Sequence, residues 1–370
     1  MVVVKILYIP ISLMIANPSH SNEIYHLLAF LVSMNVVLWA TPVVKAIGLK
    51  SGYVDKPSER KIHNKPVVRI GGIAIFVGTT AGLLVVWWLG GFGVLPPAKD
   101  AEIWGVTIGA VLFFIIGLAD DLFSLSPQFR LILQSVIAGF AWYKGVRIEF
   151  FTIPFGELVH IDMWWLSLPI TVIWLVGMVN AINWIDGLDG LAAGVCGIAA
   201  VVMLIVSLFM NQPAAALLAA ALAGGALGFL RYNFNPAEIF MGDGGAYFMG
   251  FMLAGVAVIG IAKTAAVTAV FLPFLILAVP IVDMAWVIFS RICQGKSPFL
   301  PDKRHIHHRL LQAGVSQRLT AIYIYSLTLW LGSIALAFAG FPSGGVYTLA
   351  STLLLAYTTW HVWRNRRIPS

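Results

Sequence analysis

The stretch WWLSLPITVIWLVGMVNAINWIDGLDG, residues 164–190, starts as an apolar run and ends in polar chemistry. Residues 164–182 are long enough to cross the hydrocarbon core of a bilayer. Asn183, Asp186 and Asp189 then follow at i, i+3 and i+6. On a helix these positions stay within an arc of about 120°, so the amide and both carboxylates would point the same way. One reading is a solvated turn in which Asx and Gly residues serve backbone geometry. The other is one wall of a site.

The same pattern repeats along the chain. Of 370 residues, 60% are hydrophobic and only 11% are charged, with a mean hydropathy of +0.91. Soluble chains carry about 25% charged residues. A chain this poor in charge cannot cover a water-facing surface, so the expected fold class is an all-α polytopic membrane protein. Eleven apolar stretches approach spanning length: 25–44, 71–91, 103–119, 129–144, 164–182, 188–208, 213–231, 245–262, 266–289, 319–340 and 344–363. Residues 1–24, with Lys5 and Pro10 in the apolar opening, are expected to be an extension, disordered or signal-like. Residues 25–363 then form the eleven-span domain and 364–370 a basic tail. Cys196 and Cys293 sit far apart in or beside apolar segments and suggest neither a disulfide nor a metal site.

Basic residues fix the expected orientation. Eighteen of the 23 Lys and Arg fall on one side, in loop 45–70, between spans nine and ten, in the tail, and at Arg130 and Arg231. The positive-inside rule makes that side cytoplasmic. The N-terminus is then outside, the span number odd and the location the cell (inner, cytoplasmic) membrane. This distribution accounts for the net charge of +7 without a nucleic-acid partner.

The polar clusters fall on the same side. They are GLADDLFS with Asp120 and Asp121, NWIDGLDG, NFNPAEIFMGDGG with Asn233, Glu238 and Asp243, and PDKRHIHHRL with His305, His307 and His308. Each alone has a plain reading: a solvated helix end for the Asp pair, a turn for the Gly-rich segments. The three His, flanked by Lys303, Arg304 and Arg309, are hard to explain as packing. Four such clusters on one face point to one site at the membrane surface. Asp residues without Cys suit a hard cation such as Mg²⁺, with Mn²⁺ as a substitute, and Mg²⁺ commonly bridges to phosphates. Lys56, Arg60, Lys61 and Arg130 suit phosphate oxygens. The combination suggests phosphoryl transfer between a soluble phosphorylated sugar or nucleotide and a lipid-borne acceptor. Asp283, inside the ninth stretch, reads equally as functional or as a packing hydrogen bond. Gly295-Lys296-Ser297 looks like the end of a P-loop. Ser290 replaces the first Gly and an apolar helix precedes it, which excludes that site.

The blocks 55–72, 117–134, 180–194, 234–251 and 295–314, in this order, resemble the bacterial polyprenyl-phosphate N-acetylhexosamine-1-phosphate transferases, the group that includes WecA, TagO and MraY. PDKRHIHHRLLQAG looks like the WecA and TagO type. The resemblance implies an eleven-span enzyme with a cytoplasmic site. Such an enzyme moves a sugar-1-phosphate from a UDP-N-acetylhexosamine to undecaprenyl phosphate within the membrane lipid, releasing UMP as the first membrane step of a cell-envelope glycan. It implies Asp120 and Asp121 as the catalytic pair, the first as a base, and Asp243 with Asp121 as Mg²⁺ ligands. It also implies Asn183, Asp186, Asp189, Asn233 and Phe240 around the nucleotide. Lys56, Lys61, Arg130, Arg304, His305, His307 and His308 would lie around the sugar and phosphates. UDP-GlcNAc is the expected donor. Gly244, Ala246 and Tyr247 depart from the WecA pattern, which leaves another UDP-N-acetyl sugar such as UDP-GalNAc as the alternative. A homodimer is the candidate assembly. A transporter or lipid flippase is the non-enzyme alternative; it would show internal repeats and ionisable residues at depth, whereas only Asp283 lies deep and no repeat is evident.

Overall fold

A computed structural model describes residues 18–55, 66–94, 97–152, 158–161, 163–261, 271–295 and 304–366. The described residues are mostly helical, as apolar runs in lipid must be, because a helix satisfies its own backbone there. The helices are α1 (Pro18–Ser51), α2 (Gly72–Trp88), α3 (Pro97–Phe123), α4 (Pro127–Tyr143), α5 (Trp164–Ile185), α6 (Leu191–Phe209) and α7 (Pro213–Asn233). They continue with α8 (Gly242–Val256), α9 (Phe271–Ile276), α10 (Ala278–Ile292), α11 (Ile306–Gln312), α12 (Gln317–Phe338) and α13 (Gly344–Asn365). Among the described residues, seven candidate spans, in α1, α3, α5, α6, α7, α8 and α12, are long and apolar enough to cross a membrane, and α2 is a shorter apolar helix. The protein is therefore a multi-pass membrane protein.

Among the described residues, helix is found within each of the eleven apolar stretches, and two departures from the expected bounds matter most. α1 begins at Pro18, inside the region read as an extension, and its 34 residues reach roughly 50 Å at 1.5 Å each. The ninth stretch is not continuous: α9 ends at Ile276, Leu277 adopts φ −102°, ψ 15°, and α10 begins at Ala278. Pro280, in the first turn of α10, has no N–H to offer the carbonyl of Ile276, which explains the break.

α8 is the hub. It packs against α2, α3, α5, α6 and α7, and 89% of its apolar window is buried. Glycines allow this approach. A Cβ on Gly72 of α2 would sit 2.5 Å from Gly245 Cα, and one on Gly117 of α3 would sit 2.6 Å from the Asp243 carbonyl carbon. A π-helical turn, Ala257–Ile261, continues α8. α12 and α13 form a hairpin on α6, joined by hydroxyl pairs Ser326–Thr358 (2.8 Å) and Ser333–Ser351 (2.7 Å).

At the end of the bundle where α1, α3, α5 and α7 finish and α2, α6 and α8 begin, short strands tie the loops together. β1 (Val54–Asp55) pairs antiparallel with β2 (Val67–Val68), and Val68 bridges to Ile239. Phe240 N donates to Val68 O, and Gly71 N and Gly72 N donate to the carbonyls of Phe240 and Met241. A second hairpin, β3 (Phe150–Thr152) and β4 (Leu158–His160), precedes α5.

Candidate active site

The tied loops set Arg69 beside the start of α8. Gly242 occupies φ +72°, and a side chain there would run into the Arg69 carbonyl and lie 2.6 Å from Asp121 Oδ2. A residue with a Cβ would be strained in that region and would have no room. Three carboxylates converge here. Asp120 and Asp121 come from the last turn of α3, and Asp243 from the first turn of α8.

Each is held differently. Asp120 Oδ1 accepts from Leu125 N (2.8 Å), and Oδ2 pairs with Arg130 Nη1. Arg130 Nη1 also lies 3.8 Å from Asp243 Oδ2. Asp121 is sunk deeper, its Oδ1 3.4 Å from Arg69 Nη2 and its Oδ2 accepting from Gly244 N (3.1 Å). Asp243 Oδ1 accepts from Asn183 Nδ2 (2.7 Å). Asp243 is the most open of the three, with 28% of its side chain exposed against 5% for Asp120 and 1% for Asp121. Such crowding of like charge calls for a cation. Among the described residues, no group of three or more His, Cys, Asp and Glu could hold a metal by itself. Mg²⁺ at phosphate sites takes one or two carboxylates and draws its other ligands from phosphate and water. An open Asp243 beside Asp121 fits that demand.

The 183–190 segment departs from the expected helical arc. α5 stops at Ile185, Asp186 is its C-cap, and the chain turns through Gly187 and Gly190, the latter at φ +76°. Asn183 alone stays on the helix, facing Asp243. Asp186 makes no side-chain hydrogen bond among the described residues, and burial pushes its carboxyl up to about 7, helped by the charges of Asp121 and Asp189. Asp189 turns away: its Oδ2 accepts from Asn235 Nδ2 (2.9 Å) and Ala237 N (3.0 Å), anchoring the loop before α8. Asn233 is buried, and its Nδ2 donates to Ile239 O (2.9 Å), so it braces the same loop from below. Phe240 is half-buried on that loop.

His305, His307 and His308 cluster across Gly187. A Cβ there would collide with the His307 ring. His307 is buried, and both its ring nitrogens lack a partner among the described residues. Burial, with His308 beside it, holds its imidazole down at about 3, so it is neutral at physiological pH. Arg304 bonds Gln294 Oε1 (2.8 Å), alongside the cluster. Lys56 and Lys61 lie outside the described residues. Two residues escaped the sequence reading: Arg69, one of many loop basic residues, and Asn235. Arg69 stands two residues before the Gly71-Gly72 pair that enters α2, and that position was the available signal.

A sequence profile described as glycosyl transferase family 4 matches residues 103–261. A probable undecaprenyl-phosphate N-acetylglucosaminyl 1-phosphate transferase of Bacillus subtilis (strain 168) is 35% identical over 332 residues, covering 90% of this chain and 86% of that protein. This chain belongs to glycosyl transferase family 4. Two further relatives agree. The decaprenyl-phosphate N-acetylglucosaminephosphotransferase of Mycolicibacterium smegmatis is 33% identical, covering 81% of this chain and 78% of that one. The undecaprenyl-phosphate alpha-N-acetylglucosaminyl 1-phosphate transferase of Pasteurella multocida is 31% identical, with 79% of each covered. The family match runs from α3 to the π turn after α8 and so encloses Asp120, Asp121, Arg130, Asn183, Asp186, Asp189 and Asp243. Arg69, Asp283 and the His cluster lie outside the matched segment.

Proposed function

We propose that this family 4 protein transfers N-acetylglucosamine-1-phosphate from UDP-GlcNAc to undecaprenyl or another polyprenyl phosphate. The observation that carries the reading is the convergence of Asp120, Asp121 and Asp243 on Arg130 and Arg69 at one end of the bundle. The names of its relatives support the same chemistry. Eleven spans, with the N-terminus outside and this end in the cytoplasm, match the basic-residue asymmetry.

The reaction is a direct displacement. An oxygen of the lipid phosphate attacks the β-phosphorus, which carries the sugar. The bond from that phosphorus to the bridging oxygen breaks, and UMP leaves with the oxygen and its electron pair. Asp243 and Asp121 would hold Mg²⁺, or Mn²⁺ in its place, and the bound ion supplies charge neutralisation on the pyrophosphate. A phosphate monoester has its second pKa at about 6, so the attacking phosphate is largely a dianion at pH 7 and needs little from a base. Asp120, with both oxygens engaged by Leu125 N and Arg130, acts by aiming Arg130 at phosphate. Asn183 holds Asp243, Asp186 faces the nucleotide, and Asp189 and Asn233 keep the pocket loop in place. Ala246 and Tyr247 are buried in helix packing, so their departure from the WecA pattern weighs little on donor choice.

Membranes containing the protein, given UDP-GlcNAc, undecaprenyl phosphate and Mg²⁺, are expected to release UMP and form lipid-linked sugar. UDP-GalNAc in a parallel reaction reads donor choice. No UMP from any UDP-N-acetylhexosamine sinks the reading, and transbilayer lipid movement without UMP would favour a flippase.

A pH dependence follows from Asp186. Its carboxyl is neutral below about 7 and ionised above, and only the ionised form accepts hydrogen bonds through both oxygens from nucleoside O–H and N–H groups. The KM for donor is expected to fall between roughly pH 6 and 8, and Asp186→Asn to flatten that change. An Asn variant that keeps the wild-type profile removes Asp186 from the pocket. Because the folded protein binds this proton more tightly than the unfolded chain, stability falls as pH rises from about 4 to about 7.

A further inference from the structure

Among the described residues, Asp283 is a carboxylate buried in an apolar helix that the mechanism above leaves unused. It lies on α10, buried, and both of its oxygens are committed. Oδ2 is 2.7 Å from His305 Nδ1, and Oδ1 accepts from Ile306 N (2.8 Å). One side chain therefore fixes both the ring of His305 and the backbone that follows it. His305 is held from two further directions. Trp184 meets it edge-on at 5.9 Å, and His307 stacks parallel to it at 5.7 Å. Trp184 stands next to Asn183, the residue bonded to Asp243, and the guanidinium of Arg291 lies 5.9 Å over the Trp184 ring. The His305 ring thus has its place and its tilt set from α10 and α5, and its Nε2 has no partner among the described residues.

We propose that Asp283 is a positioning residue: it accepts from the His305 Nδ1–H and so leaves Nε2, as an acceptor, facing the O–H and N–H donors of the sugar of the bound UDP-sugar. This assignment rests on the transferase reading above. A carboxylate on Nδ1 fixes which ring nitrogen is left to meet the ligand, and a ring held by packing and hydrogen bonds loses little entropy on binding. A packing role alone would need neither the ring contact nor its pairing with Trp184. The position of the clamp, across the 183–190 segment from Asp243, places its effect on the donor and not on the lipid phosphate.

The test is a kinetic cycle of wild type, Asp283→Asn, His305→Ala and the double variant, with UDP-GlcNAc and undecaprenyl phosphate. Asp283→Asn keeps size and an oxygen for Ile306 N, while losing the charge-assisted bond to His305. A hydrogen bond to a charged group contributes roughly 10- to 100-fold, so the donor KM is expected to rise by about that factor with the acceptor KM unchanged. The double variant is expected to match His305→Ala, because residues acting as one unit do not add. KM does not depend on the fraction of enzyme that is folded, so it reads the clamp even if the variants give less folded protein. A wild-type donor KM in Asp283→Asn, or effects that multiply in the double variant, overturns the assignment while leaving the transferase reading intact. A wild type that releases no UMP overturns both.

Discussion

Asp243→Asn is expected to lower kcat by about 10³-fold, near the upper end of what losing one electrostatic group in a reaction centre costs, while the bundle stays folded. Asp243 is the most open of the three converging carboxylates, and its two oxygens have separate duties. Oδ1 accepts from Asn183, a bond that an Asn side-chain oxygen can still make. Oδ2 looks toward Arg130 at 3.8 Å, too far for a hydrogen bond and close enough for charge. Asn puts an NH₂ in one of these positions and removes the negative charge that a cation and Arg130 both use. Stability is not expected to fall, because the substitution also relieves repulsion from Asp120 and Asp121. The measurement is kcat at saturating donor and acceptor beside a melting temperature, with the rate followed against Mg²⁺. Turnover at the wild-type rate removes Asp243 from the reaction. A rate that falls together with the melting temperature assigns it to folding.

Much of this site could be read in the sequence, because membrane chains have few options. An apolar run near spanning length has to be helical, so alternate ends of successive runs must share a face, and the polar clusters at 117–123, 180–190, 234–245 and 304–308 had to meet. What the sequence could not supply was direction at short range. Asn183, Asp186 and Asp189 share a spacing that suits a helix, yet α5 ends at Ile185, between the first and the second of them. Only the first stays on the α5 face, and Asp189 points into the next loop. Asn233 reads as a polar residue at a site, and its Nδ2 is committed to the Ile239 carbonyl, a contact the sequence does not show. Pro280 gave notice of the break in the ninth stretch but looked like any proline inside an apolar segment. The role of Asp283 depended on where residues 305 and 306 return to α10, a contact between segments that no local pattern encodes.

The same dependence of site on packing makes Gly117 the other large effect. α3 carries Asp120 and Asp121, α8 carries Asp243, and the two helices touch backbone to backbone where Gly117 meets Asp243 and Gly244. A methyl added at Gly117 would lie 2.6 Å from the Asp243 carbonyl carbon and 2.7 Å from Gly244 Cα. Carbon contacts settle near 3.5–4.0 Å, so the helices must part by about 1 Å. Neither neighbour is a flexible side chain that can swing aside. Overpacking of this kind costs about 1–3 kcal/mol, which a bundle held by many other contacts survives. The chemistry is less tolerant: a displacement of about 1 Å between reacting groups is enough for a 10²-fold loss. Gly117→Ala is therefore expected to fold, with a modestly lower melting temperature and kcat down by about 10²-fold. Gly139→Ala is the control, since a methyl on that α4 glycine meets nothing within 4 Å; it is expected to change neither quantity. A Gly117→Ala enzyme that turns over within about threefold of wild type would mean that the three carboxylates need not hold this spacing, and the convergence of α3 and α8 would no longer explain the catalysis.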